Sequence, residues 1–242
     1  NFAIYHRFKT VQPWFVNGPQ TAFEYDLDVL GLERTAVMLS GRIQVFMFED
    51  KDAYEENSGM ELAGGHAQFR YGPDGYLRTI TAYAQRGMTL RLFRHEVAHA
   101  ILLEVHRGMP SWAHEGAAVY VQKQQSRGRY RLSYLGSKQD GTLPGLESLL
   151  RDAVARGANQ EAVTRYYAQS SVTFEALAKL RQSPRKALQL CERIGQVGPS
   201  KALQEVGSSL KTLDGLCDAM AKDRNHDRST RSSLSLASPC DR

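Results

Sequence analysis

The sequence predicts an α+β protein with a mixed-sheet upper lobe and a helical lower lobe. Two observations carry this. Segments of strand-like composition all fall before residue 85, and helical periodicity governs most of the chain beyond that point. With 242 residues, 42% of them hydrophobic, the chain can bury a real core, either as one large domain or as two fused lobes.

In chain order, Phe2 to Phe8 and Arg42 to Phe48 read as strands, separated by a helix-like stretch from about Thr21 to Met38. Ala67 to Arg70 and Leu77 to Ala84 read as a strand pair across the turn Tyr71-Gly72-Pro73-Asp74-Gly75. From Met88 to His106 there is no Gly or Pro, while Leu90, Phe93, Val97, Ile101 and Leu102 recur near helical spacing. Gly108 and Pro110 then stop that helix, and Ser111 can cap the next. Gln124 to Gly145, rich in Gly, Ser, Gln and Arg, reads as a long loop near a cleft. Helical patterns return at Leu146 to Val154, Gln160 to Leu180, Pro184 to Ile194, Pro199 to Val206 and Leu210 to Ala221. The expected division is an upper lobe over 1–107, a helical lobe over 108–221 and a disordered tail over 222–242, whose Ser, Arg and Asp lack periodicity.

The most informative motif is His95-Glu96-Val97-Ala98-His99, set inside the predicted helix 88–106. Histidines at i and i+4 stand one turn apart on one face, so both imidazoles can reach one ion. Glu96 then lies to the side of that ion, where it can hold a water and take its proton, the layout of a zinc hydrolase. A catalytic zinc needs a third protein ligand. Pro110-Ser111-Trp112-Ala113-His114-Glu115-Gly116 offers Glu115 in the first turns of the following helix. His114 and His106 are rivals; neighbours on a helix point about 100° apart, so only one of His114 and Glu115 can face the ion. The HExxHxxGxxH pattern fails, because Leu102 stands at its glycine and Val105 at its third histidine.

These residues resemble the gluzincin metallopeptidases, in particular the bacterial peptidase MA-like group related to thermolysin and gluzincin aminopeptidase domains. The likeness covers roughly 1–195 and is strongest over 88–120, where HExxH is followed by Pro-x-Trp-x-x-Glu115-Gly-x-Ala; Tyr167-Ala168-Gln169-Ser170 matches a later helix of such domains. The resemblance implies a zincin-like, thermolysin-like two-lobed catalytic domain. It implies Zn2+ held by His95, His99 and Glu115, Glu96 as general base, and Tyr167 as oxyanion donor, with Tyr166 as the fallback. It also implies a strand beside the zinc helix that pairs with an extended substrate; Thr79 to Ala84 is the candidate, the competing reading being an interior strand. Val119 departs from the pattern, since related sequences often carry a polar or acidic residue there that would support a ligand. Ser58-Gly59-Met60-Glu61 departs from the Gly-x-Met-Glu-Asn element of the aminopeptidases: its glycine is one position too close and Leu62 replaces the asparagine. A loop is expected there, and aminopeptidase activity is not.

The expected function is therefore peptide-bond hydrolysis by a zinc-activated water, as an endopeptidase, on a peptide or protein substrate. The alternative is an inactive zinc-binding module that holds a peptide, glycan or protein partner; a zinc hydrolase of non-peptide amides is a third. His6, His66, His106, His114 and His226 are expected to be surface or structural residues, and Tyr167 has a competing role as core within the stripe Val163, Tyr167, Ser170, Phe174 and Leu177. The net charge of +5 comes from scattered Lys and Arg without a basic, aromatic-interleaved stripe, which argues against a nucleic-acid site. No run of 18 apolar residues exists to span a membrane. Cys191, Cys217 and Cys240 lack CxxC spacing and lie outside the metal motif; a Cys191–Cys217 disulfide is open to the chain if the protein is exported, leaving Cys240 odd. The start at Asn1, without Met, suits a trimmed chain as well as a mature exported form; localisation is open, with an exported, periplasmic or envelope-associated protein the favoured reading. Oligomeric state is open.

Overall fold

The computed structural model describes residues 2–6, 13–36, 42–59, 65–72, 75–83, 89–122, 124–151 and 159–223. They form a mixed α+β fold in which helix dominates a four-stranded sheet. Strand β1 (Phe2–His6) leads to helix α1 (Pro13–Leu30), a short 3-10 turn (Arg34–Ala36), β2 (Ile43–Phe48), α2 (Lys51–Ser58), β3 (Gly65–Gly72) and β4 (Gly75–Tyr83). Eight helices follow: α3 (Thr89–Val105), α4 (Ser111–Tyr120), α5 (Gln124–Gln139), α6 (Leu146–Arg151), α7 (Gln160–Arg181), α8 (Pro184–Val197), α9 (Pro199–Glu205) and α10 (Leu210–Lys222).

The sheet order is β1-β2-β4-β3, with β3 antiparallel to β4 and the other pairs parallel. Period-two alternation sends Ile43, Val45, Met47, Ile80 and Ala82 to one face, where α1 and α3 cover them through Phe23, Leu27, Phe93, Val97 and Ile101. A second apolar cluster joins α4 to α10, and α3 reaches it through Ala98 and Leu102. Helix α3 thus buries one flank against the sheet through Phe93, Val97 and Ile101 and another against the helices through Ala98 and Leu102, which accounts for apolar residues on more than one of its faces. Its remaining stripe, Arg91, His95 and His99, is partly exposed.

Several expectations are corrected. The helix placed over 21–38 begins earlier, at Pro13, a residue type favoured in the first turn of a helix, and ends at Leu30 before the 3-10 turn. Helix α2 was not foreseen; Asp50 caps it by accepting the Ala53 N–H, and Gly59 closes its C-terminus where the Ser58-Gly59 element was read as loop. Ser111 is the first residue of α4 and not its cap; extended Pro110 holds that place and accepts from Ala113 and His114 through its carbonyl. The predicted strand at Thr79 to Ala84 is interior, because β4 lies between β2 and β3; β3 is the edge. The loop expected over 124–145 is largely helix α5. Its glycines, Gly128 and Gly136, face open space, whereas Arg127, Tyr130, Arg131 and Tyr134 recur at three and four residues on the side packed toward α7. Arg131 donates twice to Glu175 on α7, at 2.9 and 2.7 Å, in a buried ion pair. Cys191 and Cys217 are buried free thiols and not a disulfide; the Cys217 thiol donates to Thr173 Oγ1. Met60, Glu61, Ala84, Val154, His226 and Cys240 lie outside the described residues, as does the tail from 224 onward. Among the described residues, no helix is long and apolar enough to cross a membrane.

One buried group works against stability. Asp26 on α1 is fully buried, and neither carboxylate oxygen has a hydrogen-bond partner among the described residues. Burial raises its pKa well above the usual carboxylate range, only partly opposed by Arg94. A folded pKa above the unfolded one favours the protonated fold, so this contribution is present at low pH and is lost as pH rises through the folded value. Asp26→Asn is therefore expected to raise the melting temperature at about pH 8, by a gain of about 1–3 kcal/mol, and to change little at about pH 4. Calorimetry at both pH values checks this, and an equal shift at the two would contradict it.

Candidate metal centre

Three donor atoms converge where α3 meets α4. His95 Nε2 lies 3.2 Å from His99 Nε2, 3.3 Å from Glu115 Oε2, and the His99 and Glu115 atoms are 3.5 Å apart. Donors bound at 2.0–2.1 Å around a tetrahedral ion stand about 3.3–3.4 Å from one another, so the triangle has the size zinc requires. The chemistry fits as well. Two imidazole nitrogens this close cannot both present lone pairs without repulsion unless a proton or a cation lies between them. Glu115 Oε2 is buried, and beyond the two imidazole nitrogens at 3.3 and 3.5 Å, which are poorly aligned for hydrogen bonds, it has no partner among the described residues; an ion between the three would satisfy it. Burial alone would raise the Glu115 pKa, but His99 and His95 outweigh it and hold the carboxyl well below its usual range.

The backbone explains how these groups meet. The one-turn spacing puts His95 and His99 on the same face of α3, and the break at Gly108 to Pro110 returns the chain so that α4 packs against α3. Gly116 then sets the depth of Glu115. A Cβ at this position would stand 2.4 Å from the Ser170 carbonyl oxygen and 2.9 Å from Phe174 Cβ, so glycine lets α4 lie directly on α7. That contact also brings Tyr167 to the site, its ring edge-to-face on His95 with centroids 6.2 Å apart.

Glu96 is 4% exposed and accepts a hydrogen bond from the Ala67 N–H of β3. Burial raises its pKa, His95 and His99 pull it down, and Glu115 pushes it up again. This tie needs β3 close to α3, and Gly65 provides it: a Cβ there would meet Leu92 at 2.9 Å. The edge strand therefore runs beside the acid.

The rival ligands lie elsewhere. His114 packs behind His99, with ring centroids 6.2 Å apart, and its pKa is pushed down to about 4 by burial and by His99. His106 Nδ1 pairs with Glu192 at 3.0 Å, His66 Nδ1 with the Tyr54 hydroxyl at 2.8 Å, and His6 is exposed on β1. Among the described residues, the metal-competent group is His95, His99 and Glu115. Tyr166 and Tyr167 both stand in the field of Glu115, and burial raises both phenol pKa values, but Tyr167 is the one against His95.

Two neighbours were missed in the sequence. Tyr130 of α5 stacks edge-to-face on Tyr167 at 6.3 Å, completing an aromatic wall, and Gln122 places its amide 2.9 Å from His95 Nδ1. Tyr130 was hidden in the segment read as loop. Gln122 follows α4 directly, three residues beyond Val119, which is buried and apolar. No family model matches the chain, and a search of curated proteins finds no match.

Proposed function

We propose that this chain is a zinc-dependent metallopeptidase of gluzincin type, with the thermolysin-like two-lobed layout of that group. The observation that carries the reading is the 3.2–3.5 Å triangle of His95, His99 and Glu115 with the buried carboxyl of Glu96 beside it. A zinc ion held by that triangle would supply Lewis acidity and lower the pKa of bound water from 15.7 toward about 7.

The chain's own groups supply the rest. Glu96 takes the proton of the attacking water and returns it to the leaving amine; its raised pKa suits both halves of that exchange. The Ala67 N–H fixes its carboxylate. β3 offers its outer edge next to that base, so an extended peptide added as a further strand would present its carbonyl to Glu96. The Tyr167 hydroxyl donates to the oxyanion that develops, and packing against His95 and Tyr130 holds its ring in place. Tyr167→Phe is expected to lower kcat by about 10²–10³ with KM little changed. Steady-state kinetics checks this, and an unaltered kcat would remove Tyr167 from the chemistry.

The reading is tested by incubating a diverse quenched-fluorescent peptide library with zinc-loaded and chelated protein, and identifying products by mass spectrometry. Internal cleavage that stops on chelation and returns with zinc is expected. Cleavage that persists in the chelated sample would contradict a metal-dependent peptidase.

A further inference from the structure

Resting on the zinc reading above, we infer that Gln122 is the positioning residue for His95, holding its ring through a neutral amide. When Nε2 of His95 gives its lone pair to a metal, Nδ1 carries the proton and must donate it. The group facing Nδ1 is the mostly buried Gln122 amide, with its nitrogen Nε2 2.9 Å away and its oxygen on the other arm of the same planar group. Val119 offers no acceptor.

Gln122 is held for this task by its backbone. It sits in the turn that ends α4, its N–H donating to the Val119 carbonyl at 3.0 Å, directly after the Val121 cap. The helix that delivers Glu115 from its second turn therefore delivers Gln122 from its end, so one element fixes a ligand and the orientation of another ligand.

An amide can serve both states of the ring. With the site empty, Nδ1 can accept from the amide NH2 while Nε2 keeps its proton. With the site filled, a half-turn of the amide presents Oε1 to the Nδ1 proton. A carboxylate would favour the second state alone. Gln122 thus orients His95 in both states, while adding no charge beside the ion.

The test is the zinc dissociation constant, measured by competition with a chromophoric chelator, for wild type, Gln122→Met and Gln122→Glu, with melting curves of the metal-free proteins. Met keeps the bulk and removes the acceptor; it is expected to weaken zinc binding about 10–100-fold while the metal-free melting temperature stays unchanged. Glu restores the acceptor and is expected to bind zinc as tightly as wild type or more tightly. Wild-type affinity in Gln122→Met, or equal loss in Met and Glu, would overturn the inference and leave the metal site standing. A wild-type protein that takes up no zinc would overturn the metal reading, and the inference with it.

Discussion

Replacing Glu96 by Gln is expected to lower kcat by about 10²–10⁴ without loss of zinc. The two side chains have the same shape, and the glutamine oxygen can still accept from the Ala67 N–H, so the fold and the orientation of the side chain are kept. Only the capacity to take and return a proton is lost. The ligand triangle does not include Glu96, so zinc content should remain at one equivalent. Metal analysis beside steady-state kinetics separates the two effects. Full activity in Glu96→Gln would mean that the base is another group, and loss of zinc would mean that Glu96 belongs to the ligand set.

Gly116→Ala is expected to damage both stability and the site. The new methyl would meet the Ser170 carbonyl and the Phe174 side chain of α7, which are backbone and core and cannot move aside cheaply. Overpacking of this kind costs about 1–3 kcal/mol, and α4 must lift to relieve it. Lifting α4 withdraws Glu115, the residue next in sequence, so zinc affinity should fall together with the melting temperature. Gly108→Ala is the control, since its methyl would make ordinary contact with Glu192 at 3.6 Å. It should leave both readouts near their wild-type values. Normal zinc affinity in a destabilised Gly116→Ala would show that α4 is not what sets the depth of the ligand.

The range of each interaction decides whether the sequence discloses it. The histidine pair and Glu96 depend on one turn of one helix, and a spacing of four residues states that geometry outright. Glu115 was legible because a single break at Gly108 to Pro110 separates its helix from the first, leaving few ways for α4 to return. The strands were found because period-two alternation is local, but which of β3 and β4 forms the edge depends on pairing with β2 across the intervening α2, and the strands' own residues do not encode it. Helix α5 was misread because its polar composition masks a stripe of Arg127, Tyr130, Arg131 and Tyr134 that acquires meaning only against α7 and the buried Glu175. Gln122 was hidden for the same reason. Nothing in its neighbourhood along the chain marks it, and its role appears only when the end of α4 is placed on His95. The fully buried Asp26 likewise falls on a helix face that hydrophobic periodicity alone would assign to an apolar residue.

Whether His95, His99 and Glu115 hold one zinc ion is best decided by X-ray absorption at the zinc edge on the zinc-loaded protein. The expected result is one zinc per chain with two imidazole nitrogens and one carboxylate oxygen near 2.0–2.1 Å, the oxygen contribution changing in Glu115→Ala. Zinc that is absent, or bound with the same ligand set in wild type and Glu115→Ala, would contradict it.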